Sequence, residues 1–291
     1  MKIRIGSRQS RLAIIQAEML IASIKEKHPE IETELVTMTT TGDRILNKTL
    51  DQIGGKGLFV KELDAALLEG RVDVTVHSCK DLPMHENPLL PLVAFSQRED
   101  ARDALVLPDG ISSWNGEGVV GCSSLRRKLQ LEVLYPGISV APVRGNVQTR
   151  LQKLDNGEFS ALVLASAGLK RLGLENCINR FFLTEEMMPA AGQGILAVQM
   201  RAGEDTSFLN SFSDASATIC AKAERAFVRV LGGGCSSPVA AYATVSGDEI
   251  TIHGMYVSEC GGVFKGEVKG ACAHGEMLAA ELAQALKEGA K

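Results

Sequence analysis

The sequence lacks the features that mark exported, membrane-spanning or metal-binding proteins. Its N-terminus turns polar directly after Met1, without the apolar core of a secretory signal. It has no run of about 18 apolar residues, which argues against a membrane-spanning helix. The seven cysteines are scattered without CxxC or Cys/His spacing, so neither a disulfide framework nor a metal site is expected. The pattern predicts a cytoplasmic protein whose thiols are reduced and mostly buried.

Positively charged residues are also fewer than negatively charged residues. The 291 residues include 31 Lys and Arg against 35 Asp and Glu, for a formal net charge of −4. This balance argues against a nucleic-acid partner, because phosphate neutralisation needs an excess of cations. Hydrophobic residues make up 45% and charged residues 23%, which is ordinary for a globular protein, and the length suggests two or three domains. A net charge does not describe a local cleft, so the placement of the arginines matters.

Alternating strand and helix patterns predict α/β architecture with largely parallel sheets. Strands are predicted at 2–5, 32–38, 72–77, 119–121, 139–143, 161–165 and 195–200, with helices at 10–27, 58–69, 123–135 and 147–154. A charged connector at 97–103 separates two such units, and the strand at 195–200 could return to the first. The remainder differs: a helix at 217–231, an antiparallel meander at 239–245, 249–257 and 262–268, and a helix at 276–286. This tail predicts a smaller α+β domain.

Arginines recur where a strand ends and a helix begins. Arg8 follows the first strand, Arg126 and Arg127 open a helix, and Arg144 precedes another helix that carries Arg150. The carboxyl ends of strands form the ligand edge of an open α/β sheet, and helix N-termini there favour anions. The alternative is that these arginines are solvated or paired with acids. Their shared position favours a cleft for a polyanion within a net-acidic protein.

Two further segments each have two interpretations. Lys80 and Asp81 follow the buried strand at 72–77 and precede Pro83. They could form a structural ion pair and cap, or supply a carboxylate that stabilises a developing cation. The segment at 54–57 is glycine-rich but lacks the spacing of a phosphate loop, so a flexible lid is an equal possibility. Phe59 beside it could stack on a flat ligand or belong to a helix core.

Cys235 is the one cysteine that does not fit the buried-thiol pattern. It follows three glycines, Gly232 to Gly234, after a predicted helix. A thiol on such a mobile loop suits covalent attachment or nucleophilic attack. The alternative is an ordinary glycine-rich helix end.

Taken in order, these segments resemble the porphobilinogen deaminase family over nearly the whole chain. The resemblance is carried by Gly6-Ser7-Arg8-Gln9-Ser10, Thr40-Thr41-Gly42-Asp43, Gly54 to Leu63, His77 to Pro83, Arg98-Glu99-Asp100, Gly121 to Arg127, Arg144-Gly145-Asn146-Val147, Ala167 to Gly173, Pro189 to Gly194 and Gly233-Gly234-Cys235. Each motif alone is weak, whereas the ordered set is specific.

The resemblance implies a transferase of tetrapyrrole and heme biosynthesis with a dipyrromethane cofactor, one per chain, in thioether linkage to Cys235. Four porphobilinogen molecules would be joined head to tail on this primer with loss of ammonia, and the linear tetrapyrrole hydroxymethylbilane released by hydrolysis. No metal, nucleic acid, membrane or obligatory protein partner is implied, and a monomer is favoured. Each pyrrole carries an acetate and a propionate, which accounts for the arginines.

The resemblance also assigns roles to residues. Catalytic roles fall to Asp81, Lys80 and Arg8. Cofactor contacts beside Cys235 fall to Ser10, Lys80, Asp81, Ser124, Arg126, Arg127, Arg144 and Gly145. Substrate contacts fall to Arg8, Lys56, Phe59, Arg144, Asn146, Arg150, Arg171 and Gln193. Asp81 would stabilise the electron-poor azafulvenium left when ammonia departs and would handle protons at the attacked carbon.

The implied fold is two periplasmic-binding-protein-like α/β lobes plus a smaller α+β C-terminal domain with an antiparallel three-stranded sheet. The lobes would comprise 1–96 with 195–213, and 97–194, and the cofactor-carrying domain 214–291. Departures from the family pattern are modest: Cys122 stands where Thr is common, Gln199 where an acid is usual, and Ser236-Ser237 vary among relatives.

Two other function classes compete with this interpretation. A non-catalytic anion-binding module would explain the lobes and the arginines, but neither the third domain nor Cys235. A thiol-dependent acyl or phosphoryl enzyme would use Cys235, but no motif among the five histidines supplies its base.

Overall fold

The computed structural model describes residues 1–44, 60–234, 237–258 and 260–290. Its strands are β1 (Lys2–Arg8), β2 (Glu32–Met38), β3 (Val74–Ser78), β4 (Leu92–Phe95), β5 (Asp103–Val106), β6 (Val119–Gly121), β7 (Ser139–Ala141), β8 (Ala161–Ala165), β9 (Ile178–Phe181), β10 (Leu196–Met200), β11 (Ala240–Ser246), β12 (Glu249–Val257) and β13 (Val263–Ala271). Its helices are α1 (Arg11–Lys27), α2 (Thr41–Arg44), α3 (Lys61–Leu68), α4 (Leu125–Leu134), α5 (Val147–Asp155), α6 (Ser166–Arg171), α7 (Ala215–Val230) and α8 (Gly275–Gly289).

The first sheet has the strand order β2-β1-β3-β10-β4. β1 is parallel to β2 and β3, whereas β10 is antiparallel to β3 and β4. Helix α1 packs on this sheet because its buried positions recur at helical spacing, including Ala13, Ala17, Leu20 and Ile24. The strand predicted at 195–200 therefore returns to the first sheet after the chain has built the second.

The second sheet repeats this plan with the order β7-β6-β8-β5-β9. β6 is parallel to β7 and β8, and β5 is antiparallel to β8 and β9. In each sheet, the strand second from one edge is the first strand that the chain forms after it crosses over from the other sheet. This strand is β5 after the first crossing and β10 after the second. Two α/β sheets built alike and linked by two crossings confirm the two-lobed α/β class.

The third sheet is antiparallel, in the order β11-β12-β13. Helices α7 and α8 cover one of its faces through a shared apolar core that includes Phe227, Ile250 and Ala279. The predicted α+β tail is therefore confirmed, with its last strand and last helix each longer than the pattern indicated. The division of the chain into three domains at 96/97, 194/195 and 213/214 stays a prediction.

Glu224 joins the two crossings to the third sheet. This carboxylate on α7 is fully buried and forms an ion pair with Arg98 at 2.7 Å. It also accepts backbone N–H bonds from Gly192 and Ala243, both at 2.7 Å. Arg98 lies on the first crossing and Gly192 on the second, so one buried side chain holds both crossings against β11.

Some elements were missed or misplaced by sequence patterns. Strands β4, β5 and β9 have four residues each, too few to show a period, and α6 has six. The charged connector was expected to run to residue 103, but Asp103 begins β5 and is fully buried, so that boundary was wrong. The predicted helix at 58–69 begins outside the described residues, and its described part is α3. None of the helices described here is long and apolar enough to cross a membrane.

The packing of α7 on the third sheet predicts a strict requirement for glycine at position 254. A Cβ atom there would lie 2.3 Å from the ring of Phe227, which is fully buried. We expect Gly254→Ala to lower the free energy of unfolding by about 1–3 kcal/mol through overpacking. Gly289→Ala is the control, because nothing lies within 4 Å of its Cβ position, and it should change stability by less than about 0.5 kcal/mol. Urea denaturation measures both, and equal stability of the two variants would contradict the packing argument.

Candidate functional site

A cleft of about 560 Å³ lies between the first and second sheets, where the strands end and the helices begin. Of the predicted site residues, the cleft is lined by Arg8, Ser10, Lys80, Asp81, Ser124, Arg126, Arg127, Arg144, Gly145, Asn146, Arg150, Arg171 and Gln193. Lys56, Phe59 and Cys235 fall outside the described residues. Apart from those three, every predicted residue lines the same cleft, but their roles stay predictions.

The residues on either side of positions 235 and 236 also lie at this cleft. Gly234 and Ser237 both line it. The backbone N–H of Gly234 donates to Ser237 Oγ at 2.9 Å, and the N–H of Ser237 donates to the Gly234 carbonyl at 3.0 Å. The two residues that flank positions 235 and 236 are therefore tied to each other at the wall of the cleft.

Three helix N-termini contribute to the cleft. Ser10, Ser124 and Asn146 are the N-cap residues of α1, α4 and α5, and each side-chain oxygen accepts a backbone N–H of its own helix. The N-terminus of a helix carries partial positive charge and suits anions. Gly145 precedes Asn146 with a φ of +111°, a conformation that side-chain-bearing residues rarely adopt. The strand–cap–helix pattern in the sequence thus places dipoles as well as arginines at the cleft.

Asp103 organises the paired arginines of α4. Its carboxylate is fully buried and forms ion pairs with Arg126 at 2.8 Å and Arg127 at 2.7 Å. Gln193 Nε2 donates to the same carboxylate at 2.8 Å. Burial alone would raise the pKa of Asp103, but Arg126 and Arg127 outweigh it, so the pKa lies well below the ordinary value. Sequence reasoning missed Asp103, although an acidic residue directly before the apolar run at 104–107 was a usable signal.

Backbone carbonyl groups also accept hydrogen bonds from the guanidinium groups at the cleft. Arg126 Nη1 donates to the Met188 carbonyl at 2.5 Å, and Arg127 Nη1 to the Val163 carbonyl at 3.1 Å. Arg171 Nη2 donates to the Gly194 carbonyl at 2.6 Å. The alternative that these arginines pair with acids is true in part, since Arg126 and Arg127 pair with Asp103 while they line the cleft.

The buried Nε atoms of Arg127 and Arg171 have no hydrogen-bond partner in the described residues. Burial lowers the pKa of Arg171 to about 10, and burial together with Arg127 lowers the pKa of Arg150 to about 10. These unsatisfied buried donors and destabilised cations indicate that the described residues leave part of the donor capacity of the cleft without acceptors. A ligand with several carboxylates would supply them.

Lys80 and Asp81 lie in the short turn that follows β3. Lys80 Nζ donates to Gln193 Oε1 at 3.3 Å. Burial, followed by the nearby charge of Arg127, lowers the pKa of Lys80 to about 8. Asp81 is exposed at the cleft wall. A cation and a carboxylate thus stand side by side where the arginines converge.

Arg8 is held by an acid of the same lobe. Its guanidinium forms an ion pair with Asp43, whose carboxylate also accepts from Thr40. Burial would raise the pKa of Asp43, but these donors lower it below the ordinary value. Arg8 therefore lines the cleft as an oriented, charge-compensated group.

Histidines take no part in the cleft. All five fall within the described residues and none lines it. His77 is buried, and burial followed by Arg8 lowers its pKa to about 4. This arrangement gives no support to a thiol enzyme with a histidine base.

Comparison with known proteins assigns the family. Residues 3–209 match the model for "porphobilinogen deaminase, dipyromethane cofactor binding domain", and residues 218–288 match the porphobilinogen deaminase C-terminal domain. The chain belongs to the porphobilinogen deaminase family. The porphobilinogen deaminase of Acetivibrio thermocellus is 56% identical over 290 residues, covering 100% of this chain and 99% of that protein. That of Ruminiclostridium cellulolyticum is 60% identical over 266 residues, covering 91% and 90%.

Among solved structures, the periplasmic aliphatic sulphonate binding protein SsuA from Escherichia coli is similar with a TM-score of 0.42. It is 13% identical and covers 79% of this chain and 70% of that one. The family match confirms both the resemblance and the expected cofactor, dipyrromethane. The residues of this cleft fit such a group, because the carboxylates of the group would meet the unpartnered Nε donors of Arg127 and Arg171.

The paired arginines predict a large stability loss at Arg127. Arg127→Leu leaves one oxygen of a buried carboxylate without its cation, which should cost about 3–5 kcal/mol. Arg102→Leu is the matched control, because Arg102 pairs with Asp100 at 2.7 Å near the surface, with 38% of its side chain exposed. That loss should be about 0–1 kcal/mol. Urea denaturation of both variants checks this, and a similar loss in each would refute the special role of the buried pair.

Proposed function

We propose that this protein is a transferase that condenses four porphobilinogen molecules head to tail on a dipyrromethane primer attached to Cys235, with loss of ammonia, and then releases hydroxymethylbilane by hydrolysis. The observation that carries the proposal is the convergence of buried arginines with unpartnered donors on one cleft of a family member. We further propose that it acts as a cytoplasmic monomer, without a metal, nucleic-acid, membrane or obligatory protein partner.

The cleft cations bind the carboxylates of primer and substrate. Every pyrrole unit carries an acetate and a propionate, so each addition brings two negative charges into the cleft. Arg127 and Arg171 offer buried Nε donors, and Arg144 and Arg150 lie beside the N-terminus of α5. Charge-assisted hydrogen bonds of this kind also orient the ring that bears the carboxylates. Ser10, Ser124, Gly145 and Asn146 add hydroxyl, amide and backbone donors at the helix N-termini.

Cys235 anchors the primer. The flanking residues Gly234 and Ser237 support this, because both line the cleft that contains Lys80 and Asp81. A thioether at position 235 would hold the primer inside that cleft. When bound, the dipyrromethane supplies the pyrrole end to which the first substrate is joined. Lys56 and Phe59 complete the proposal as substrate contacts, on the strength of the family resemblance alone.

Asp81 stabilises the cation that forms on the substrate. Loss of ammonia from porphobilinogen leaves positive charge on its ring, and the Asp81 carboxylate at the cleft wall stabilises that charge and accepts a ring proton. Lys80 holds a carboxylate of the reacting unit, oriented by its bond to Gln193. Arg8, fixed by Asp43, binds a carboxylate of the incoming substrate from the first lobe.

Cofactor attachment can be tested by intact-mass spectrometry. We expect the purified protein to carry an adduct of two pyrrole units, and Cys235→Ser to lack it. Cys260→Ser is the matched control, since Cys260 is an exposed cysteine outside the cleft, and it should keep the adduct. An unmodified protein with full activity would contradict the proposal.

Turnover tests the role of Asp81. We expect Asp81→Ala to keep its adduct and bind porphobilinogen but to lose about 10²–10⁴-fold in kcat, because the stabilising carboxylate is gone. Asp109→Asn, an exposed carboxylate away from the cleft, should turn over normally. Steady-state kinetics distinguishes the cases, and near-normal kcat in Asp81→Ala would remove Asp81 from the mechanism.

A further inference from the structure

One buried carboxylate connects two adjacent arginines and a glutamine of the cleft. Asp103 takes Arg126 on one oxygen and Arg127 on the other, at 2.8 and 2.7 Å. Gln193 Nε2 donates to Asp103 at 2.8 Å and to the Ala101 carbonyl at 2.7 Å. Asp103 is fully buried and does not line the cleft. It therefore touches the groups that meet the ligand without reaching the ligand itself.

The contacts of Gln193 extend this network to Lys80. Because the Nε2 group is used on Asp103 and Ala101, the amide oxygen faces the other way. That oxygen accepts from Lys80 Nζ at 3.3 Å. The orientation of the amide is thus set by Asp103, and Lys80 is directed in turn by the amide.

Two neighbouring guanidinium groups repel each other, and Asp103 is what holds them side by side. The remaining arms of Arg126 and Arg127 are fixed by the carbonyls of Met188 and Val163. Each group is consequently held at two points, and Arg127 Nε is left without a partner in the described residues. The direction in which that donor can meet a carboxylate depends on the position of Asp103.

We propose that Asp103 is a positioning residue of this site: it fixes the directions of Arg126 and Arg127 and, through Gln193, of Lys80. The inference rests on the proposed function and deepens it, because it assigns the geometry of carboxylate binding to a residue that touches no substrate.

The charge of Asp103 has a predictable effect on Lys80. The charged groups that face Lys80 are Arg127 and Arg126 from α4, Asp81 from its own turn and Asp103 from β5. The two arginines lower the pKa of Lys80, whereas Asp81 and Asp103 raise it. Removal of the Asp103 charge therefore lowers that pKa further, so Lys80 loses its proton at a lower pH.

The test compares Asp103→Asn and Asp103→Glu with the wild type, each as the full-length, primer-bearing protein. The asparagine variant removes the negative charge and places an NH₂ group next to the N–H donors whose hydrogen bonds Asp103 accepts. The glutamate variant keeps the charge but shifts the oxygens by one methylene. Intact-mass spectrometry gives the primer content of each variant. The kcat/KM for porphobilinogen is measured as a function of pH, over a range that spans the pKa of Lys80.

For Asp103→Asn we expect about a 10²-fold fall in kcat/KM, because the binding groups are misplaced. We also expect the alkaline limb of the pH profile to move to lower pH. Asp103→Glu should lower kcat/KM but leave that limb in place. Glu224→Gln is the matched control: Glu224 is equally buried and ion-paired, but its partner Arg98 does not line the cleft, whereas both arginines paired with Asp103 do. It should lose stability without moving the limb.

A folded, primer-loaded Asp103→Asn with the kcat/KM and pH profile of the wild type would overturn the proposal. If Asp103→Asn does not fold, wild-type kcat/KM in Asp103→Glu overturns it instead. The wild type serves as the separate check on the proposed function. Failure of the wild type to convert porphobilinogen refutes that function, whereas normal wild-type turnover with unaltered variants refutes the role of Asp103 alone.

Discussion

The structure depends on how an acidic chain holds several positive charges together in one cleft. Arg126 and Arg127 stand side by side because Asp103 is buried between them and takes one guanidinium on each oxygen. That single carboxylate does not neutralise the site, since Lys80, Arg150 and Arg171 also lie at the cleft and their pKa values are lowered. The remaining positive charge and the unpartnered arginine donors define what the cleft can bind, namely a ligand that brings several carboxylates.

The fold supplies this arrangement through repetition. Both α/β sheets turn the ends of their parallel strands toward the same space, and β1, β6 and β7 each lead into a helix with a side-chain N-cap. The chain crosses between the sheets twice, and Glu224 ties both crossings to the third sheet. The helix that carries Glu224 also leads to Gly234, at the edge of the cleft. Gly234 and Ser237, which flank the proposed attachment position, therefore both lie at the cleft between the two sheets.

Much of this could be predicted from the sequence, and the exceptions have physical reasons. Long elements such as α1 and β12 showed their period, and Ser10, Ser124 and Asn146 marked helix starts by their capping chemistry. Strand β5 was missed because four residues show no period and because its first residue is charged. Asp103 was assigned to the connector because it ends a charged run, and only the structure shows the two arginines that pair with it. The family resemblance assigned Lys80, Arg171 and Gln193 to one site before any fold was known. It did not predict the hydrogen bond between Lys80 and Gln193.

The central claim is that the cleft arginines hold the carboxylates of a pyrrole primer. A crystal structure of the purified, primer-bearing protein tests it most directly. We expect two pyrrole rings between the lobes, with acetate and propionate oxygens about 3 Å from donors of Arg127 and of at least one of Arg144, Arg150 and Arg171. A primer whose carboxylates point into solvent, or rings bound elsewhere on the chain, would contradict it.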